Sequence, residues 1–302
     1  MALETRTLGR TGLEVTRLGY GAMSLDPDRF GPVSPEQATA MLNAVLDAGI
    51  NFIDTSPDYG PSEERIGDAI ASRRSEYFIA TKVGCPIAPS AGRGHVYNRE
   101  NITAAVDQSL ARMHTDYLDL VQFHGNPSPE VLEQGEAIET LRDLQQAGKI
   151  RSIGVSGVLP ELPSQIAMGV FDAFQIPYSV LQRDHEALIS EAKRAGAGTV
   201  IRGGAVRGAA AKDWDVRRLP EVAAERPREL WEAAQLDELL DGASRIEWTL
   251  RFTFSHPDLD TTIVGTANPD HLRGNIDALA KGPLPADVVA EAKRRLEAVE
   301  NA

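Results

Sequence analysis

Short apolar runs alternate with longer amphipathic stretches along most of this chain. Runs at residues 51–54, 77–82, 117–123, 150–155, 173–176, 199–201 and 261–264 are continuous in apolar character. That is what a strand covered on both faces requires; a sheet with one wet face would alternate. Residues 17–23 supply an eighth run, with glycines where backbone must approach something closely. Between the runs the pattern predicts helices at 34–47, 62–72, 99–113, 129–147, 160–169, 184–195, 228–240 and 244–255, another reaching Asn275, and an amphipathic tail helix at 285–299. The first has a clear start signal in Ser34-Pro35-Glu36-Gln37: a Ser cap, Pro in the first turn and an acid at the positive end of the dipole. Ahead of everything, residues 5–8 and 13–16 are β-prone pieces flanking Gly9-Arg10-Thr11-Gly12, which reads as a hairpin.

Eight strands separated by helices imply a parallel sheet covered on its outer face, and eight is the number that closes a (β/α)8 TIM barrel. The expected architecture is one domain over residues 1–302, with an N-terminal β-hairpin and extra C-terminal helices. A doubly wound open sheet is the alternative. Gly19-x-Gly21 partly matches a dinucleotide fingerprint, but Ser24 stands where the third glycine would fall.

Composition then narrows the function classes. With 42% hydrophobic and 25% charged residues the chain is an ordinary globular protein. No run approaches the roughly 20 apolar residues of a membrane span, and the polar first ten residues lack a signal-peptide core, so a cytoplasmic location is expected. A single cysteine, Cys85, excludes an intramolecular disulfide. A net charge of -13 argues against a nucleic-acid partner.

A barrel carries its chemistry at the C-terminal ends of its strands. Asp54, Lys82 and His124 end the second, third and fourth strands, and Tyr59 follows Asp54 by five residues. Singly each has an ordinary reading: a helix cap, a solvated lysine, a hydrogen-bonded core histidine. Together they form a working set. Lys82, at the end of an apolar strand, needs a counter-ion, which Asp54 supplies. The held ammonium is expected to lower the Tyr59 pKa from its usual value of about 10, making the phenol a better acid. His124 can donate to a carbonyl oxygen or complete the relay. The six histidines show no metal spacing, and no nucleophile is in sight. Hydride addition to a carbonyl, with hydride from a cofactor, fits such a set. A Schiff-base Lys82 in an aldolase-like lyase is the rival, although a paired Asp54 would push that lysine the wrong way.

These residues carry a resemblance. From Leu8-Gly9-Arg10-Thr11-Gly12-Leu13 to Asn275 the chain resembles the aldo-keto reductase family, most specifically at Asp54-Thr55-Ser56-x-x-Tyr59-Gly60. The resemblance implies a catalytic tetrad of Asp54, Tyr59, Lys82 and His124 with Tyr59 as general acid, a small-molecule aldehyde or ketone substrate, no metal, and NADP(H), with NAD(H) not excluded. It also implies cofactor contacts. Gly21, Ala22, Met23 and Asp54 border the cofactor, and Ser156 and Gln175 hold the nicotinamide carboxamide, with Gly157 where the family has Asn. Arg202, followed by Gly203, stands in place of a stacking aromatic. Gly265, Thr266, Asn268, His271 and Asn275 surround the adenosine phosphate, in a stretch that also holds Arg273. Arg202, Arg207, Lys212, Arg217 and Arg218 outnumber Asp213 and Asp215 in one stretch, which reads as a cover over a pyrophosphate. Residues 84–98, with Cys85, His95 and Tyr97, are the expected substrate determinants together with Tyr20, Met23 and Trp214. The resemblance leaves open a non-catalytic cofactor-binding subunit of the same fold.

Overall fold

The computed structural model describes residues 2–87, 94–206 and 221–301. Strands β1 (Thr5–Thr7) and β2 (Glu14–Thr16) pair antiparallel, Thr5 opposite Thr16, as the expected hairpin. Eight parallel strands follow: β3 (Leu18–Gly21), β4 (Phe52–Asp54), β5 (Phe78–Val83), β6 (Leu118–Phe123), β7 (Ile150–Ser156), β8 (Ala173–Pro177), β9 (Gly198–Arg202) and β10 (Thr261–Val264). They form a closed barrel in chain order, and β10 pairs with both β9 and β3. That double pairing removes the open-sheet alternative.

Helices α1 (Pro27–Phe30), α2 (Pro35–Asp47), α3 (Ser62–Ile70), α4 (Arg99–Arg112), α5 (Pro129–Gln134), α6 (Ala137–Gln146), α7 (Leu162–Ala167), α8 (Glu186–Arg194), α9 (Glu221–Ala233), α10 (Arg245–Phe254), α11 (Pro269–Ala280) and α12 (Ala286–Glu300) accompany the strands. The start of α2 is the one its sequence announces. The Ser34 hydroxyl accepts from the Gln37 amide at 3.2 Å, and the Gln37 side chain accepts from the Ser34 amide at 2.8 Å, so two otherwise orphaned donors are satisfied. Among the described residues no helix is long and apolar enough to cross a membrane.

The expected helix over residues 129–147 is two helices. Between α5 and α6, Glu136 adopts a left-handed φ of 50°, and a Cβ on Gly135 would lie 2.3 Å from the carbonyl oxygen of Tyr97. The backbone of residue 97 crosses so closely that position 135 has room only for glycine, and the left-handed Glu136 that follows separates the two helices. The helix expected over 228–240 instead starts at Glu221, carries Pro227 inside it and ends at Ala233, where Gln235 turns left-handed with φ 50°. The basic stretch beyond Arg202, including Arg207, Lys212, Trp214, Arg217 and Arg218, lies outside the described residues.

Burial divides into two cores. The larger fills the space between strands and helices, with Ile53, Ile79, Val121, Ile153, Phe174 and Ile201 packed against helical residues such as Met41, Ile66, Val106 and Leu141. The smaller plugs the barrel from below. Leu8, Leu13 and Val15 of the hairpin region meet Phe52, Ala80, Leu120, Ala173 and Val200, which point into the barrel. The opposite, C-terminal rim is thereby left for polar side chains.

Candidate active site

Asp54 is the last residue of β4, and its carboxylate organises the floor of the rim. One oxygen, Oδ1, accepts from Lys82 Nζ at 2.8 Å; the other, Oδ2, accepts from Gln122 Nε2 at 3.0 Å and Gln175 Nε2 at 2.8 Å. Residues from β4, β5, β6 and β8 are thus tied to one carboxylate. Lys82 is fully buried and also donates to the Thr55 carbonyl at 2.8 Å. Burial alone would drive this ammonium down, yet Asp54 and then Tyr59 outweigh it and hold its pKa above the ordinary lysine value.

Tyr59 sits above this pair. Its ring lies 5.0 Å from Lys82 Nζ on one side and 5.3 Å from the Arg29 guanidinium carbon, and it meets the His124 ring edge-on at 6.1 Å. The expected lowering of its pKa is not what the structure gives. Burial pushes the phenol up from its ordinary value, and Lys82 only partly offsets this, with Asp54 and Asp58 adding to the rise. The phenol is accordingly a protonated donor at neutral pH.

His124 follows β6 immediately, its amide held by the Val83 carbonyl at 2.9 Å. Its Nδ1 lies 3.3 Å from Cys85 Sγ and 3.7 Å from Asp58 Oδ1. Burial first, and then the Lys82 charge, lower its pKa to about 4, so the imidazole is neutral at pH 7. Asp58 stays ionised: burial works against its carboxylate, but the Ser56 hydroxyl, donating at 2.5 Å, and then His124 and Arg29 hold its pKa below the ordinary carboxylate value. Burial pushes the Cys85 thiol up to about 12.

A cavity of about 2220 Å³ opens over this floor. Asp54, Tyr59 and His124 line it; Lys82 lies beneath. Of the expected cofactor contacts, Gly21, Met23, Ser156, Gln175, Arg202 and Gly203 line it, and so do Gly265, Thr266, Asn268, His271 and Asn275. Ala22 is fully buried behind the wall, where its carbonyl accepts from Ser62 at 3.0 Å. Tyr20, expected among the substrate determinants, is a core residue: its hydroxyl donates to the Thr266 carbonyl at 2.8 Å and so fastens β3 to the loop after β10.

The Ser156–Gln175 pair is connected, Ser156 Oγ lying 3.2 Å from Gln175 Oε1. The glycine that follows Ser156, where the family has an asparagine, has a steric reason. A Cβ on Gly157 would meet Gln165 Oε1 at 2.4 Å and Leu162 Cδ1 at 2.8 Å, and the buried Gln165 amide is fixed by donating to the Pro127 carbonyl at 2.9 Å. Gln165 occupies the space that an asparagine side chain would need there.

Sequence reasoning missed Gln122, Asp58 and Arg29. Gln122 carried a legible signal: a polar residue near the C-terminal end of a largely apolar strand, two positions before His124 and hence on the same face. Arg29 of α1 and Asp58 of the loop after β4 meet at 3.4 Å above Tyr59, a meeting that no local pattern encodes.

Comparison with known proteins agrees with this geometry. A model of the Aldo/keto reductase family matches residues 17–297. Aldo-keto reductase YhdN of Bacillus subtilis is 30% identical over 299 residues, covering 92% of this chain and 88% of that protein. L-galactose dehydrogenase of Arabidopsis thaliana is 38% identical over 177 residues, 56% of this chain and 52% of that one. Among solved structures, the holo form of aldo-keto reductase AKR11C1 from Bacillus halodurans superposes with a TM-score of 0.83 at 27% identity, covering 97% of this chain and 96% of that chain. A closed barrel with an acidic anchor, a buried ammonium, a phenol and an imidazole at one rim thus accompanies a match over nearly the whole chain, and the chain belongs to the aldo/keto reductase family of oxidoreductases.

Proposed function

We propose that this protein reduces the carbonyl of a small aldehyde or ketone to an alcohol, with Tyr59 as general acid and NADP(H) as coenzyme. The observation that carries the reading is the protonated Tyr59 phenol at the cavity wall, beside a neutral imidazole and above an ammonium neutralised by Asp54. A reduced nicotinamide supplies the hydride. Tyr59 gives its proton to the carbonyl oxygen as negative charge develops there, and Lys82 stabilises the phenolate left behind. Neutral His124 donates an N–H to the same oxygen, which orients the substrate. Asp54 keeps Lys82 charged and the two glutamines in place.

The cavity suits a dinucleotide, since it runs from Tyr59 to the N-terminus of α11, where Thr266 and Asn268 line it. Ser156 and Gln175 would hold the carboxamide end, and Arg202 with Gly203 the middle. A second reading, NAD(H), is favoured at the far end by one observation. Asn268 already caps the Asp270 amide at 2.9 Å, and Asp270 engages Arg273 at 3.2 Å, so the cation of this stretch is already paired with an acid.

Turnover of NADPH and NADH absorbance with a panel of aldehydes, ketones and sugars tests the reading. Tyr59→Phe should lower turnover by about 10²- to 10⁴-fold while coenzyme affinity, read by fluorescence, stays near that of the parent. Unchanged turnover in that variant would refute the assignment of Tyr59.

A further inference from the structure

The chain's single cysteine and two of its six histidines meet at one point on the β5–β6 side of the rim. We propose that Cys85, His95 and His124 form a binding site for a thiophilic divalent cation of the Zn²⁺ type. One ligand atom from each lies within 4.8 Å of the others. Cys85 Sγ and His124 Nδ1 are 3.3 Å apart, close to the roughly 3.5 Å that separates a sulfur and a nitrogen bound to one tetrahedral Zn²⁺. The sequence gives no hint of it, because the three residues come from the ends of two strands and from the loop between β5 and α4.

Two further observations show that this arrangement is held in place. The His95 ring stands edge-on to His124 at 5.4 Å and occupies the space a side chain on Gly125 would take, with ring atoms 2.5 Å from an ideal Cβ. His95 also stacks on Tyr97 at 6.0 Å, and the Tyr97 hydroxyl donates to the carbonyl of His124 itself. The loop that brings His95 is therefore pinned to the residue it faces.

The donor set decides the class of ion. One thiolate and two imidazoles suit Zn²⁺ and Co²⁺, whereas Mg²⁺ and Ca²⁺ take oxygen. Three protein ligands leave a fourth position for water. Binding expels the Cys85 thiol proton to solvent, and thiolate and ion then leave one net positive charge. Asp58, 3.7 Å from His124 Nδ1, offsets that charge, while the Lys82 ammonium acts in the opposite sense.

Titration of the metal-free full-length protein with Co²⁺, followed by absorption, tests the site without any turnover measurement. One Co²⁺ per chain should bind with a thiolate-to-metal charge-transfer band in the near ultraviolet, which only Cys85 can produce, and stoichiometric Zn²⁺ should remove it. Cys85→Ser should abolish the band. His95→Gln, on a surface loop, should keep the fold and weaken binding by about 100-fold, at least the loss expected for an outer-shell partner. No band at millimolar Co²⁺, or a band with unchanged affinity in His95→Gln, would overturn the proposal and leave the trio as packing.

Discussion

At the scale of single residues, burial sets the direction of the shift at Tyr59 and His124, whereas neighbouring groups override it at Lys82 and Asp58. His124 shows the consequence most clearly. Its pKa of about 4 in the fold compares with about 6.5 in an unfolded chain. Between those values the unfolded chain holds the proton and the folded chain does not. The stability linked to this imidazole is therefore fully present above about pH 6.5 and is lost as pH falls toward about 4. The loss amounts to about 3 kcal/mol, and the side chain is only 21% exposed, so screening takes little from it. Comparison of the parent with His124→Asn by urea unfolding should show the parent losing about that much relative to the variant across the window. A difference that stays flat would mean the imidazole is not so strongly desolvated. Tyr59 illustrates why such states are only half legible in sequence. Strand-end positions in the sequence lead one to expect Lys82 beside the phenol, and hence a lowered pKa. They do not show that the ring is nine-tenths buried, and that burial reverses the sign.

At the scale of elements, apolar runs locate the strands to within a residue or two, since continuous burial is a local property of each segment. The helices are less legible where another part of the chain intrudes. The break between α5 and α6 is not encoded by a proline at the junction; it falls at the left-handed Glu136, beside the point where residue 97 passes against Gly135, a contact across 38 positions. The same contact supports the loop that carries Tyr97 and His95 to the rim, so helix and site are coupled there. Gly135→Ala would place its methyl carbon about 2.3 Å from the Tyr97 carbonyl oxygen, and the rigid backbone on both sides allows little relief. Thermal unfolding should show a loss of about 1–3 kcal/mol, the usual range for overpacking. A variant as stable as the parent would show that the loop and α5 separate freely.

The molecule as a whole divides its labour along the barrel axis. Eight apolar runs announce the strands, but closure depends on β10 meeting β3, Thr262 beside Leu18, which no local stretch of sequence can reveal. Closure leaves two ends with different jobs. At the lower end Leu8 is fully buried and packs against Gly198, the first residue of β9, while Arg202 at the other end of β9 lines the cavity. Four steps of about 3.3 Å each separate the two, roughly 13 Å of rigid strand. Leu8→Ala should therefore cost about 2–5 kcal/mol of stability, because the plug cannot collapse around the space a leucine leaves. Under native conditions the remaining strand pairing still holds the rim, so coenzyme affinity measured by fluorescence should change by less than about twofold, as expected for sites this far apart with no shared partners. Denaturant unfolding and a coenzyme titration on one preparation test both halves together. An affinity that falls in step with stability would show that the plug also sets the geometry of the cavity, and that the two ends of this barrel are not independent.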